Sequence, residues 1–194
     1  MAHSLSAEPL APAERQALLA AARASIEHGL RTGRPMSVDP VALPPALRAP
    51  GAAFVTLRRK GELRGCTGEL EARRPLAASV AEQAFSAAFR DPRFAPLAPA
   101  ELEGLDVHIS ILGPLEPLEA VSVPDLVGAL RPGIDGVLID DGLHRATLLP
   151  AVWESLPEPA SFARELWRKA GLVPGVWRSG LRVWRYEVES ISHS

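Results

Sequence analysis

The chain of 194 residues holds a single cysteine, Cys66, so no internal disulfide is available to it. Its five histidines are scattered, and neither HExxH nor CxxC occurs, which leaves a metal site without sequence support. GxGxxG and GxxxxGK[ST] are missing too, so no dinucleotide site or P-loop is indicated and any cofactor stays unknown. No apolar run approaches the roughly 20 residues that a membrane-spanning helix needs. The first thirty residues lack the basic start and apolar core of a signal peptide, and the cytoplasm is the simplest address. With 21 basic against 23 acidic side chains, the chain has no global field that would draw in a phosphate backbone or an anionic membrane. Neither nucleic acid nor membrane is expected as a partner.

What is present is a hydrophobic fraction of 47%, enough to fill a core. Residues 1–11 read as a flexible tail. From Pro12, the recurrence of Leu18, Ala22, Ile26 and Leu30 predicts an amphipathic helix that ends near Gly29 or Gly33. A proline-crowded connector follows. AFVTLRRKGELRGCTGEL then predicts a hairpin turning at Lys60-Gly61, and PLAASVAEQAFSAAFRD a helix that must stop before Pro92. LDVHISIL alternates cleanly as a strand with Asp106, His108 and Ser110 on its polar face. Beyond it the sequence predicts a short helix near Asp125–Leu130 and a hairpin at Asp141-Gly142. A helix from an N-capping Ser161 to Ala170 and one final strand, LRVWRYEVESI, complete the chain. Helices and strands interleave without a strand-helix-strand period, which favours an α+β fold with mostly antiparallel or mixed sheets packed with helices.

The stretch LRGCTG carries the most chemistry. On an unbroken strand Arg64 and Cys66 share one side, and a guanidinium beside a thiol stabilises the thiolate. Cys66 is therefore a candidate nucleophile with Arg64 as its activator. Gly65 and Gly68 leave room for a ligand to approach the main chain, with Thr67 between them. The competing reading is packing, since free cysteine is among the most buried residue types and strand glycines often mark bulges. His108 is a candidate general base, or a solvated residue making ordinary hydrogen bonds. Asp91 and Arg93 in DPRF either pin a loop or recognise an anion through the arginine fork. His144 and Arg145 follow a turn and are expected to be exposed, and the four tryptophans to pack in the core.

LRGC, DPRF and KAGL, met in consecutive order with the segments between them, resemble the AMMECR domain family, called AmmeMemoRadiSam system protein A in bacteria and archaea. The resemblance covers about residues 12–190. It implies an α+β protein of two lobes with LRGC in or near the groove between them. It also implies as partners a Memo-like protein, similar to class III extradiol dioxygenases, and a radical S-adenosylmethionine protein. Arg64, Gly65, Cys66, Gly68, Asp91, Pro92 and Arg93 match its signature. Thr67 stands where a branched aliphatic is usual, Ala151 where glutamine is common, and Trp167 where cysteine is frequent. The last departure removes a second thiol and weakens any disulfide-exchange mechanism. No established reaction comes with the resemblance. Two functions stay open: an enzyme with Cys66 as its reactive thiol, acting on a small anionic or carbonyl substrate, and a non-catalytic module that docks on the Memo-like protein.

Overall fold

Pro12 presets the backbone of a first helical turn, and the Glu14 carboxylate accepts from the Ala11 N–H at 2.9 Å, so the first helix starts there. The computed structural model describes residues 9–192, and most of the predicted tail lies outside them. The elements follow in the order α1 (Pro12–Thr32), α2 (Pro45–Arg48), β1 (Ala53–Arg59), β2 (Glu62–Gly68), α3 (Leu76–Phe89), β3 (Leu105–Leu112), β4 (Glu116–Pro117), α4 (Val123–Ala129), β5 (Gly136–Asp140), β6 (Arg145–Leu148), α5 (Pro159–Lys169), β7 (Arg182–Tyr186) and β8 (Val188–Ser192). They form two compact units, one running to Leu112 and resuming at Glu189, the other Gly113–Val188. The α+β class expected from the interleaving is the class observed.

In the first unit the sheet order is β2-β1-β3-β8, with β1 antiparallel to both neighbours. Helices α1 and α3 cover one face. Val55, Leu57, Val107 and Ile109 on that face bury against Leu18, Ala22, Ile26, Val80 and Ala84. Leu30 is only half-buried, because a four-residue spacing drifts off the 3.6-residue turn; Gly29 takes the inward place, against the rings of Phe85 and Phe89. Helix α1 closes at Gly33, in the left-handed conformation at φ 70°. Leu10 packs on this core, and its N–H donates to the Glu189 carboxylate at 3.2 Å. The proline-rich connector is not wholly irregular, since α2 anchors it by burying Leu47 completely. Lys60 and Gly61 have φ 52° and 82°, the two positive values that a tight two-residue hairpin turn requires.

The second unit pairs its strands in the order β4-β7-β5-β6, all antiparallel. Its core gathers Leu126, Val137, Ile139, Leu166 and Val183 around Trp153 stacked on Phe162 at 3.9 Å. Trp167 is buried as the core reading expected, its indole N–H donating to the Val176 carbonyl at 2.9 Å. Tyr186, pushed up to about 12 by burial, shares a 2.5 Å hydrogen bond with the Thr147 hydroxyl. Asp135 is wholly buried and tolerates it because Arg131 donates through its backbone, Nε and Nη2. Three expectations change here. Helix α5 begins at Pro159, before the expected Ser161, because proline fits the first helical position. The stretch read as one final strand is two, interrupted at Glu187, with β7 in the second sheet and β8 in the first. His144 is half-buried, and its N–H and ring are both held by Asp141, while Arg145 is exposed as expected.

Gly65 and Gly68 are fixed by contact on opposite faces of β2. A Cβ on Gly65 would lie 2.1 Å from the Ala87 carbonyl oxygen of α3, and one on Gly68 would lie 2.2 Å from the Phe54 ring. Backbone in a packed helix cannot yield, whereas a half-buried ring can turn aside. Gly65→Ala is therefore expected to destabilise by about 3 kcal/mol and Gly68→Ala by about 1 kcal/mol, an order that urea midpoints would check; equal midpoints would contradict it.

Candidate functional site

A two-residue turn at Lys60-Gly61 sets Arg59 opposite Glu62 and Arg58 opposite Leu63. Continued without interruption, that register would place Arg64 opposite Leu57 and Cys66 opposite Val55, both on the helix-covered face. Instead the pairing shifts between Arg58 and Leu57, which makes Arg64 an extra, bulged residue. Gly65 now faces α3, and the Thr67 hydroxyl donates to the Gln83 carbonyl of that helix at 2.9 Å. Cys66 is turned to the far face, directly opposite Thr56. The expectation that Arg64 and Cys66 share one side is thus corrected, because period-two alternation does not carry across a bulge.

On the far face Thr56 is flanked by Cys66 on β2 and by His108 on β3. The Cys66 Sγ lies 3.3 Å from the Thr56 Oγ1. Cys66, Thr56 and His108 are each half-buried. His108 is two strands from the thiol, roughly 10 Å at ordinary strand spacing, so it does not reach the thiol proton directly. Thr56 was missed by sequence reasoning, since its partner depends on the bulge.

β2 is an edge strand, and the N–H and C=O of Cys66 point outward from the sheet. The Asp91 Oδ2 accepts from the Cys66 N–H at 2.9 Å, and the Arg93 Nη2 donates to the Cys66 carbonyl at 3.3 Å. Arg93 also grips Asp91 through Nε at 2.9 Å and Nη2 at 2.7 Å. The DPRF pair thus stands in for the missing next strand. Asp91 is buried, and the Arg93 guanidinium holds its carboxyl well below the usual carboxylate range. Arg93 is held protonated chiefly by its hydrogen bond to Asp91. The fork proposed to bind an anion is occupied by Asp91.

Arg64 serves a different partner. Its Nε and Nη2 donate to the two oxygens of Glu101 at 2.7 and 2.9 Å, and Nη2 also reaches the Ala95 carbonyl at 3.0 Å. The Phe94 ring lies beneath both cations, 5.8 Å from Arg64 and 5.5 Å from Arg93. Glu101, another residue the sequence did not single out, also accepts from the Ala98 N–H. Arg64, and secondarily that N–H, hold its carboxyl down at about 2. Among the described residues no group of three or more His, Cys, Asp or Glu side chains is placed to hold a metal ion, and no helix is long and apolar enough to cross a membrane.

Glu101 gives a pH test. Its folded pKa is depressed, so its contribution is complete above the ordinary glutamate value and is lost as pH falls toward about 2. Glu101→Gln should cost about 2 kcal/mol at pH 7, and the gap from the parent should shrink steadily between pH 5 and pH 2.5. A pH-independent gap in urea unfolding would show that the ion pair is not its source.

Comparison with known proteins places this arrangement. The AMMECR1 family profile matches residues 19–191. A protein of Methanothermobacter thermautotrophicus is 38% identical, covering 93% of this chain and 95% of its own, and one of Thermotoga maritima is 34% identical, covering 84% and 90%. The crystal structure of an uncharacterized protein from Pyrococcus horikoshii superposes with a TM-score of 0.87 at 30% identity, over 95% of this chain and 94% of that one. With the profile running from within α1 to β8, through the bulged LRGC strand and the DPRF pair that seals it, the chain belongs to the AMMECR1 family.

Proposed function

We propose that the protein is an enzyme with Cys66 as its reactive thiol, acting on a small anionic or carbonyl compound laid across the far face of the first unit's sheet. The observation that carries this reading is the contact of Cys66 Sγ with the Thr56 hydroxyl at 3.3 Å, on the face turned away from the helices. A hydroxyl there can donate to a thiolate, and the Arg93 guanidinium, bonded to the Cys66 carbonyl, adds positive charge nearby. A substrate spanning the strands would meet Cys66, Thr56 and His108 in turn, which leaves His108 to act on the substrate's far end as acid or base. Arg64, engaged by Glu101, takes no part in this scheme. Gly65, Gly68 and Thr67 give the stretch its packing and contribute no open space of their own. The Asp91–Arg93 pair fixes the Cys66 backbone, so the thiol is presented from a rigid support.

The test is iodoacetamide alkylation of the folded protein. Thr56→Val and Arg93→Gln should each slow modification of Cys66 at pH 7 by about threefold to tenfold, while Arg64→Gln should not change it. A thiol that reacts only on unfolding, or that ignores both substitutions, would sink the enzyme reading.

A second reading, a module that docks on a Memo-like protein acting with a radical S-adenosylmethionine protein, draws on the second unit. Leu143, Val173 and Val176 are 85%, 68% and 52% exposed there. Co-purification with a Memo-like protein that is lost in Leu143→Asp and kept in Cys66→Ser would favour docking; the reverse pattern would count against it.

A further inference from the structure

Among the described residues only two side-chain nitrogens are out of contact with solvent and lack a hydrogen-bond acceptor: Nε of Arg59 and Nη1 of Arg64. They belong to the same end of the same sheet. Arg59 closes β1 two residues after Leu57, on the helix-covered face, and Arg64 reaches Glu101 from the bulge across the hairpin. Both cations bear on one carboxylate. Glu101 is fully committed, with one oxygen accepting from Arg64 Nε and the other from Arg64 Nη2 and the Ala98 N–H. Arg59 contributes to holding the Glu101 pKa down through its charge alone. Among the described residues no carboxylate lies within ion-pair distance of it.

Glu62 stands opposite Arg59 in the register, but it is exposed and makes no ion pair with it, so the Arg59 Nε and Arg64 Nη1 donors stay desolvated without an acceptor. Two other arginines near buried carboxylates are paired: Arg131 engages Asp135, and Arg93 engages Asp91. A charged donor stripped of water and given no acceptor is costly, and an oxyanion is the acceptor that removes the cost. Exposed Lys60 and Glu62 flank Gly61 of the hairpin turn at the same end and offset each other in charge.

We propose that Arg59 and Arg64 form a binding site for a small oxyanion, a carboxylate or phosphate group carried by a small molecule, at the β1–β2 hairpin end of the helix-covered face. Arg59 is half-buried, so an anion meets its tip first. Drawing Nε onto a second oxygen then completes a bidentate fork, with Glu101 holding Arg64 in place behind it. The site lies on the opposite face of the sheet from the Cys66 thiol, so it is not part of the proposed reaction site.

The experiment follows the arginine Nε–H resonances of the full chain by NMR while inorganic phosphate, or separately acetate, is added at constant ionic strength against chloride. The Arg59 Nε–H signal should move saturably with phosphate, with acetate, or with both, and the stronger ion identifies the group recognised. In Arg59→Gln the affinity, read from the Arg64 signal, should fall at least about tenfold, a loss of about 1.4 kcal/mol. Drift no greater than that with chloride for both ions would overturn the proposal, as would equal affinity in Arg59→Gln. Should that variant not fold, the titration of the parent protein decides alone. Cys66 alkylation should be unchanged in Arg59→Gln, which separates this outcome from that of the thiol.

Discussion

The bulge at Arg64 moves the pairing of β1 and β2 by one residue, and in a structure with a side-chain period of two that shift exchanges the two faces of everything after it. Before the bulge, the turn dictates the register. After it, Cys66 leaves the helix-covered face and comes to lie beside Thr56, while Gly65 and Thr67 take the inward places. The exchange suits the packing on both sides. α3 approaches β2 so closely that its Ala87 carbonyl leaves space for no side chain at residue 65, and only glycine can stand there. The same close approach brings the end of α3 and the DPRF turn to the edge of β2.

Exposed backbone at that edge is the next constraint. Edge strands leave donors and acceptors without partners, and proteins close them with charge or with covering loops. Here Asp91 and Arg93 supply one acceptor and one donor to a single residue, and they neutralise each other in doing so. The second sheet shows a simpler version, in which the Lys169 ammonium reaches the Thr147 carbonyl on the edge strand β6. Both devices terminate pairing without a further strand. At β2 the device also immobilises the residue that carries the thiol.

Much of this was legible from sequence where one local signal decides one local structure. Lys60-Gly61 announced the hairpin, and LDVHISIL announced a strand whose alternation the structure reproduces. Pro92 ended α3 where its ring requires. What escaped depends on pairing. Thr56 is an ordinary strand threonine until the bulge sets it opposite Cys66, and Glu101 is an ordinary acidic residue in a turn until Arg64 reaches it. The stretch LRVWRYEVESI gave no sign that Glu187 divides it between two sheets, because each half satisfies strand periodicity separately. Helix α5 extended past Ser161 since Pro159 competes successfully for the first turn.

These constraints sharpen the reading of LRGCTG by elimination. Arg64 is engaged by Glu101, Thr67 by α3, and the two glycines by Ala87 and Phe54. Each of those residues has a packing or pairing reason for its identity. The backbone clamp on residue 66 does not explain the cysteine, because alanine offers the same N–H and C=O to Asp91 and Arg93. Nor does burial explain it, since the side chain is half-buried on a face away from the main core. What cysteine adds over alanine at this position is the sulfur, and the sulfur's partner is the Thr56 hydroxyl. With Arg64, Gly65, Thr67 and Gly68 each accounted for by structure, the proposed chemistry rests on the Cys66 sulfur, which packing and pairing leave unexplained.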